Sequence, residues 1–334
     1  MRAEDNKRWL RGITLEEDPK EGPNNVGEGN NWRLLVGLIQ VIWTQGKIPQ
    51  QLTWVIVVLL PKGGGDYRGI GLLEPLWKVV EHIMDRQLNA LLLHEALHGC
   101  WNGRGTGTAI LEAKLAQQLA HLKQEPFYGV FLDLKKAFDT MDREGCLLIL
   151  EGYGTGLNMV RLICNFWRDA TMVCCALGNY GRPFHAGQGM TQGGPLSPKL
   201  FNILIDAVVR EWLRQLRDGG IVDPEELDLL MAAFFAIFYV DDAYLAARDP
   251  DFLQVALNSL VSLFERVGLG TNVKKTQTMI CTPGQITTQL STDSYHRRHG
   301  YGTHTREQWD TRMVKCRQCQ AKMNASSPPF GRPP

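Results

Sequence analysis

The chain has 334 residues, room for one large domain or two ordinary ones at about 150 residues each. Hydrophobic residues at 44% and charged residues at 21% exclude a disordered or fibrous chain. The 36 Lys and Arg against 35 Asp and Glu leave a formal charge of +1, so any nucleic-acid contact must come from locally basic surface rather than bulk charge.

Met1–Leu10 is charged and lacks the apolar segment of a signal peptide. The apolar runs Leu52–Leu60 and Leu229–Val240 are well short of the roughly 20 residues that cross a bilayer. The 8 cysteines are too sparse for a disulfide scaffold. The expectation is an intracellular protein, cytoplasmic or nuclear, with no membrane partner. Cys146, Cys164 and Cys281 sit among apolar neighbours and read as small core residues.

Residues 1–31, ending in the Gly- and Asn-rich run Glu21–Asn31, read as a flexible leader. Trp32, Leu35, Leu38, Ile39 and Ile42 then share one helical face, and Gly46 sits where that helix would stop. Thr53–Leu60 is a short β-branched strand entering the turn Lys62-Gly63-Gly64-Gly65-Asp66. Pro75 opens a helix expected to run to about Leu97, and a second spans about Thr108–Gln124. Phe127–Leu132 reads as a strand ending on Asp133, followed by helices over about Arg143–Gly152 and Leu157–Trp167. Thr171–Leu177 is a strand that turns through Gly178-Asn179-Tyr180-Gly181, and Pro195–Leu216 is a long amphipathic helix. Phe234–Val240 runs into Asp241-Asp242, Ala243–Ala247 continues as a strand, and a helix covers about Phe252–Gly268. No repeat of fixed period is present. Residues 284–334 are expected to form a basic, partly disordered tail: Leu290–Pro334 holds eight Lys/Arg against three Asp/Glu, a net of 8 − 3 = +5, with few aliphatics.

The chemistry concentrates at two strand ends. Val130-Phe131-Leu132 leads to Asp133, and Phe238-Tyr239-Val240 leads to Asp241-Asp242. A fully apolar strand is buried on both faces, where a carboxylate is costly without compensation. If the strands are neighbours, two or three carboxylates converge, and a divalent ion relieves their repulsion. Oxygen-only ligands suit Mg²⁺ or Mn²⁺ rather than Zn²⁺. Taken alone, Tyr239–Asp242 fits an exposed hairpin turn equally well.

The segment Phe131–Asp139 (FLDLKKAFD) resembles motif A of reverse transcriptases, Gly189–Pro198 (GMTQGGPLSP) motif B, and Phe238–Asp242 (FYVDD) motif C, in the right order. Leu269–Met279, with Asn272, Lys274, Lys275 and Thr276, is similar to motif D. Leu60-Pro61-Lys62 and Asp66-Tyr67-Arg68 resemble the fingers segment that holds the incoming triphosphate. The likeness covers about Trp32 to Cys281 and is nearest to reverse transcriptases of non-long-terminal-repeat retrotransposons and group II introns.

This resemblance implies an α+β right-hand polymerase, with fingers and palm over residues 32–283 and an antiparallel palm sheet. It implies RNA-templated DNA synthesis with Mg²⁺ or Mn²⁺ on an RNA template, a DNA primer and deoxynucleoside triphosphates. Asp133 and Asp241 would be the metal ligands, with Asp242 beside them. Phe138 would lie under the sugar and exclude a 2′-hydroxyl. Lys62 and Arg68 would pair with the triphosphate. Gln192 and Gly193 would let a template base pair approach the backbone. Lys275 would donate a proton to the leaving pyrophosphate, with Lys274 the competing choice.

Three features depart from the pattern. Gly194 stands where the family usually has Asp, no helical thumb follows motif D, and no nuclease segment is recognisable. Cys316-Arg317-Gln318-Cys319 is half of a zinc-finger pattern, and the 334 − 319 = 15 residues beyond it hold no His or Cys. His296, His299 and His304 lie upstream and could complete an unusual Zn²⁺ site. These departures suit an alternative, a truncated non-catalytic retroelement remnant that only binds RNA. A third reading is a maturase-like RNA-binding partner.

Overall fold

The computed structural model describes residues 26–63, 66–176, 178–219, 234–282, 285–290 and 314–315. In chain order the elements begin α1 (Val26–Gln45), β1 (Trp54–Gly63), β2 (Asp66–Leu73), α2 (Pro75–Leu88), α3 (Thr106–Leu122), β3 (Phe127–Lys135) and the single helical turn α4 (Ala137–Thr140). There follow α5 (Arg143–Gly152), α6 (Leu157–Asp169), β4 (Thr171–Ala176), β5 (Asn179–Tyr180), α7 (Ser197–Asp218), β6 (Phe234–Tyr239) and β7 (Asp242–Ala247). The last are α8 (Pro250–Arg266), β8 (Gly270–Thr271), β9 (Gln277–Thr282), β10 (Gln285–Leu290) and β11 (Val314–Lys315).

Two compact units emerge, each assembled from two stretches of chain: the first from residues up to Leu91 and Arg143–Lys199, the second from Leu92–Asp142 and Leu200 onward. In the first, a four-stranded sheet runs β2-β1-β4-β5, with β1 antiparallel to β2 and parallel to β4. Trp77 of α2 stacks on Phe166 of α6 at 4.4 Å between ring centroids, joining the unit's two stretches.

In the second unit all strand pairs are antiparallel, in the order β11-β10-β9-β3-β7-β6, with β8 added to β3. Both faces of β3, β6 and β7 are covered, which is why these strands lack the polar alternation of a half-exposed sheet. Phe235, Ile237, Tyr244 and Met279 pack with Ala120 of α3. On the opposite face Phe234 meets Trp212 of α7 at 5.3 Å and Phe252 of α8 at 5.1 Å. Each large side chain so buried contributes roughly 1.5–3 kcal/mol.

Several boundaries differ from expectation. α1 starts at Val26, so the presumed leader already includes a helical turn; residues 1–25 lie outside the described residues. α2 opens at Pro75 but ends at Leu88 rather than Leu97. Its buried stripe Trp77, Val80, Met84, Leu88 is complete there, and the next residue on that row, Leu92, is 88% exposed. Lys199 Nζ donates to Asn89 Oδ1 at 2.6 Å just past the helix end. Cys146 is buried as expected, whereas Cys164 is exposed, because α6 buries Met159, Val160, Leu162, Ile163, Phe166 and Trp167 on its other side. Gly64, Gly65, the Cys281 side chain and the tail residues His296, His299, His304, Cys316 and Cys319 lie outside the described residues.

Candidate active site

Strand alternation builds the acidic surface of the second unit. On the face that α3 covers, Phe131 of β3 opposes Tyr244 of β7, their rings stacked at 4.5 Å, and Ile237 of β6 opposes Tyr244 from the other side. Residues two positions further along each strand point the same way. Those residues are Asp133, Asp242 and Tyr239, with Asp133 paired to Asp242 and Asp242 to Tyr239. One pleat therefore turns an aromatic face acidic. Directly opposed residues of antiparallel strands have Cβ atoms about 4.5–5.5 Å apart, so the two acidic residues are neighbours on one sheet face.

Asp133 does not end its strand as expected. β3 continues to Lys135 because Leu134 and Lys135 find partners in Thr271 and Gly270 of β8. Asp241 lies on the two-residue loop Val240-Asp241, and its carbonyl accepts the Leu134 N–H at 3.2 Å. Val240 takes φ +57°, a left-handed conformation unusual for a β-branched residue. Gly99 backs this loop: a Cβ there would stand 2.6 Å from Val240 Cγ2 and 2.8 Å from Val240 N. Gly99 is itself held by neighbours, since His98 N donates to Phe238 O at 2.8 Å and Phe238 N to Ala96 O at 2.7 Å. The buried His98 ring contacts Thr108 Oγ1 at 3.0 Å and Glu112 Oε2 at 3.1 Å, and burial lowers its pKa.

Lys275 reaches the same place through a backbone clamp. Asn272 N donates to Asp133 O at 2.7 Å, and Lys275 N and Thr276 N both donate to Asn272 O at 3.0 Å. The Lys275 ammonium then lies 3.3 Å from Asp133 Oδ1. Phe138, on α4, stacks on buried Phe201 of α7 at 4.8 Å with 22° between planes.

The structure thus brings Asp133, Asp242 and Lys275 together, with Asp241 on the adjoining loop. Among the described residues no three His, Cys, Asp or Glu side chains form a ready-made metal cluster. The carboxylates on offer are the opposed pair Asp133 and Asp242, with Asp241 on the loop beside them. Such a pair fits Mg²⁺ or Mn²⁺, since hard ions are commonly held by one or two carboxylates plus substrate phosphates and water rather than by an all-protein cage.

Lys62, Arg68, Gln192 and Gly193 belong to the first unit. Lys62 and Arg68 are exposed on the far end of the β1–β2 hairpin, Arg68 opposite Leu60, with a register shift between Pro61 and Gly63. Gly71 N of β2 donates to Gln192 O at 2.6 Å. Gly193 has φ +112°, and a Cβ there would stand 2.6 Å from Gly71 O. The seat on β2 is therefore sufficient reason for this glycine.

Two charges, half-buried Arg143 and buried Glu81, carry no mark in the sequence that was used. Arg143, at the start of α5, donates to Gly189 O at 2.7 Å, Trp167 O at 3.1 Å and Ala186 O, with its guanidinium carbon 5.5 Å over the Trp167 ring. Glu81 of α2 accepts Trp77 Nε1–H at 2.9 Å and Leu196 N–H at 3.3 Å. Burial pushes the Glu81 carboxyl up to about 7, against the opposing pull of its two donors and of Lys78. Its signal was available: Glu81 falls on the same buried stripe as Trp77, Val80, Met84 and Leu88. Arg143 offered none, since its acceptors are carbonyls up to 46 residues away.

A family model described as "Reverse transcriptase (RNA-dependent DNA polymerase)" matches residues 60–320. The chain is 26% identical over 256 residues to the Retrovirus-related Pol polyprotein from type-1 retrotransposable element R2 of Nasonia vitripennis, covering 74% of this chain and 24% of that protein. It is 26% identical over 283 residues to that of element R2DM from Drosophila melanogaster, covering 79% and 25%. Among solved structures, apo telomerase from Candida tropicalis truncated from its C-terminal domain superposes with TM-score 0.53 at 16% identity, covering 78% of this chain and 60% of that one. Candida tropicalis telomerase in complex with the TWJ fragment of telomeric RNA superposes with TM-score 0.54 at 15% identity, covering 82% and 50%. The chain thus has the α+β fold of the polymerase palm, and spans about a quarter of the length of these two curated relatives.

Proposed function

We propose that this chain, which belongs to the reverse transcriptase (RNA-dependent DNA polymerase) family, of the non-long-terminal-repeat retrotransposon type, copies an RNA template into DNA. The observation that supports this best is the opposition of Asp133 and Asp242 on one sheet face, with Asp241 on the loop between β6 and β7. Members of this family generally use divalent metal ions. Asp133 and Asp241, with Asp242 beside them, would hold Mg²⁺ or Mn²⁺. Bound there, such ions lower the pKa of a primer 3′-hydroxyl and neutralise charge on the triphosphate.

The chain's own residues position and select. Asp133, Asp241 and Asp242 supply the negative surface. Lys62 gives the triphosphate a point charge and Arg68 a planar fork. Phe138, backed by Phe201, would present a wall to the 2′-position of the sugar and favour deoxynucleotides. Lys275, or its neighbour Lys274, would donate the proton that the pyrophosphate takes on leaving. Gln192 and Gly193 offer backbone to the templating pair. RNA template, DNA primer and deoxynucleoside triphosphates are the partners this reading requires, and fingers and palm together would occupy residues 32–283.

The test is extension of a DNA primer annealed to RNA, with deoxynucleotides, ribonucleotides, and no divalent ion in parallel. The expected result is magnesium- or manganese-dependent growth with deoxynucleotides only. RNA binding without growth in any arm would instead make the chain a non-catalytic retroelement remnant.

A further inference from the structure

The segment from Thr191 to Ser197 joins the seat on β2 to the start of α7, and it is knitted by turns. Gly194 N donates to Thr191 O at 3.3 Å, Ser197 N to Gly194 O at 3.3 Å, and Ser197 Oγ to Thr191 O at 2.8 Å. A helix start has backbone N–H groups without partners inside the helix. They are ordinarily satisfied by an Asp, Asn, Ser or Thr two or three residues earlier. Here Leu196 N–H lies just before α7, and the residue two positions before it is Gly194, which has no side chain to offer.

The acceptor comes from another element. Glu81 of α2 is 5% exposed, and both its carboxyl oxygens are committed: Oε1 to Trp77 Nε1 at 2.9 Å, Oε2 to Leu196 N at 3.3 Å. Oε2 also fills the space next to residue 194. A Cβ on Gly194 would stand 2.8 Å from Glu81 Oε2, 3.1 Å from Leu73 Cδ1 and 3.1 Å from Ser197 Oγ. A carboxyl at 81 and a side chain at 194 therefore exclude one another. We propose that Glu81 is the positioning residue of the Thr191–Ser197 loop, supplying from α2 the acceptor that Gly194 cannot. Its effect on substrate rests on the reading of Gln192 and Gly193 as substrate contacts. Its effect on the loop does not.

The experiment moves the carboxyl from one side of the contact to the other. Hydrogen exchange is measured on peptides spanning residues 191–197 and 238–245 of the full chain. The variants are Glu81→Ala, Glu81→Gln, Gly194→Asp and the double Glu81→Ala with Gly194→Asp. Glu81→Ala is expected to speed exchange of the 191–197 peptide by about tenfold, the equivalent of one lost hydrogen bond. The 238–245 peptide should not change. Glu81→Gln keeps the size but only one acceptor oxygen, and should fall between wild type and Glu81→Ala. Gly194→Asp alone should crowd two acids and also speed exchange, while the double variant should return to within about threefold of wild type, as coupling between touching residues requires. In primer extension the same order should appear in the nucleotide KM, with kcat nearly constant.

Unchanged exchange at 191–197 in Glu81→Ala, or a double variant no better than the worse single one, overturns the assignment. Should Glu81→Ala fail to fold, Glu81→Gln and the double variant decide it by the same criterion. If wild type does not extend primers, the proposed function fails, yet the exchange results still stand or fall alone.

Discussion

A carboxyl on an apolar helix stripe stays buried only if it keeps its proton or finds donors, and Glu81 does something of both. Its pKa is raised from 4.5 to about 7 by burial, with Trp77, Leu196 N–H and Lys78 pulling the other way. Between these two values the folded state holds a proton that the unfolded state has released. Stability should therefore fall as pH rises through this window, by on the order of 3 kcal/mol. Urea unfolding of wild type and Glu81→Gln at pH 5 and pH 8 checks this. Wild type should lose stability across the interval and the glutamine variant should not; parallel curves would contradict it. Phe138 gives a second expectation at this scale. Phe138→Ala removes the ring stacked on Phe201, and ribonucleotide incorporation should rise at least about tenfold relative to deoxynucleotide, since a lost steric wall is worth a few kcal/mol. Equal discrimination in the variant would remove Phe138 from the sugar site. Asp133, Asp241 and Asp242 were legible as residues because acids at the ends of apolar strands are costly. Which of the last two faces Asp133 was not, because it depends on Val240 adopting φ +57°, which a valine ordinarily avoids.

At the scale of elements, β3, β6 and β7 were readable because both their faces are covered, leaving uninterrupted apolar runs, whereas β8 to β11 carry no such run. Helix ends were harder. The run Leu91-Leu92 looks like more helix, yet the buried stripe of α2 is finished at Leu88. The extension of β3 past Asp133 was invisible, since it needs β8 from 135 or more residues later, a two-residue strand with no periodicity of its own. The β6–β7 hairpin has a support that sequence also hid. Gly99→Ala would place a methyl 2.6 Å from Val240 Cγ2 and 2.8 Å from its backbone nitrogen, so the loop carrying Asp241 must shift. The expected outcome is primer extension lowered by about 10²-fold, as a misplacement near 1 Å costs, with little change in melting temperature. Full activity in Gly99→Ala would show that the loop tolerates displacement. Arg143→Ala would strand the carbonyls of Ala186, Gly189 and Trp167. A loss of about 2–3 kcal/mol is expected in denaturant unfolding, and a change below about 0.5 kcal/mol would mean that water replaces the guanidinium.

For the whole molecule, five short motifs in order carried more than any composition measure. The near-neutral charge of +1 by itself says only that nucleic acid is not held through bulk charge. The division of the described chain into two units, each returning after an excursion into the other, was not legible, because local patterns do not record which distant strands pair. Both units contribute residues to the proposed function, but the claim on which it turns belongs to the second. That claim is that Asp133 on β3 and Asp241-Asp242 at the β6–β7 turn form the divalent-ion site at which primer and nucleotide react. Single-nucleotide addition on an RNA template with Mg²⁺, comparing wild type with Asp133→Asn and Asp241→Asn, measures it directly. Each variant should keep its fold and its RNA binding while the rate of addition falls by more than about 10³-fold, the scale of losing a main electrostatic contribution to the transition state. Addition within tenfold of wild type in either variant would contradict the account.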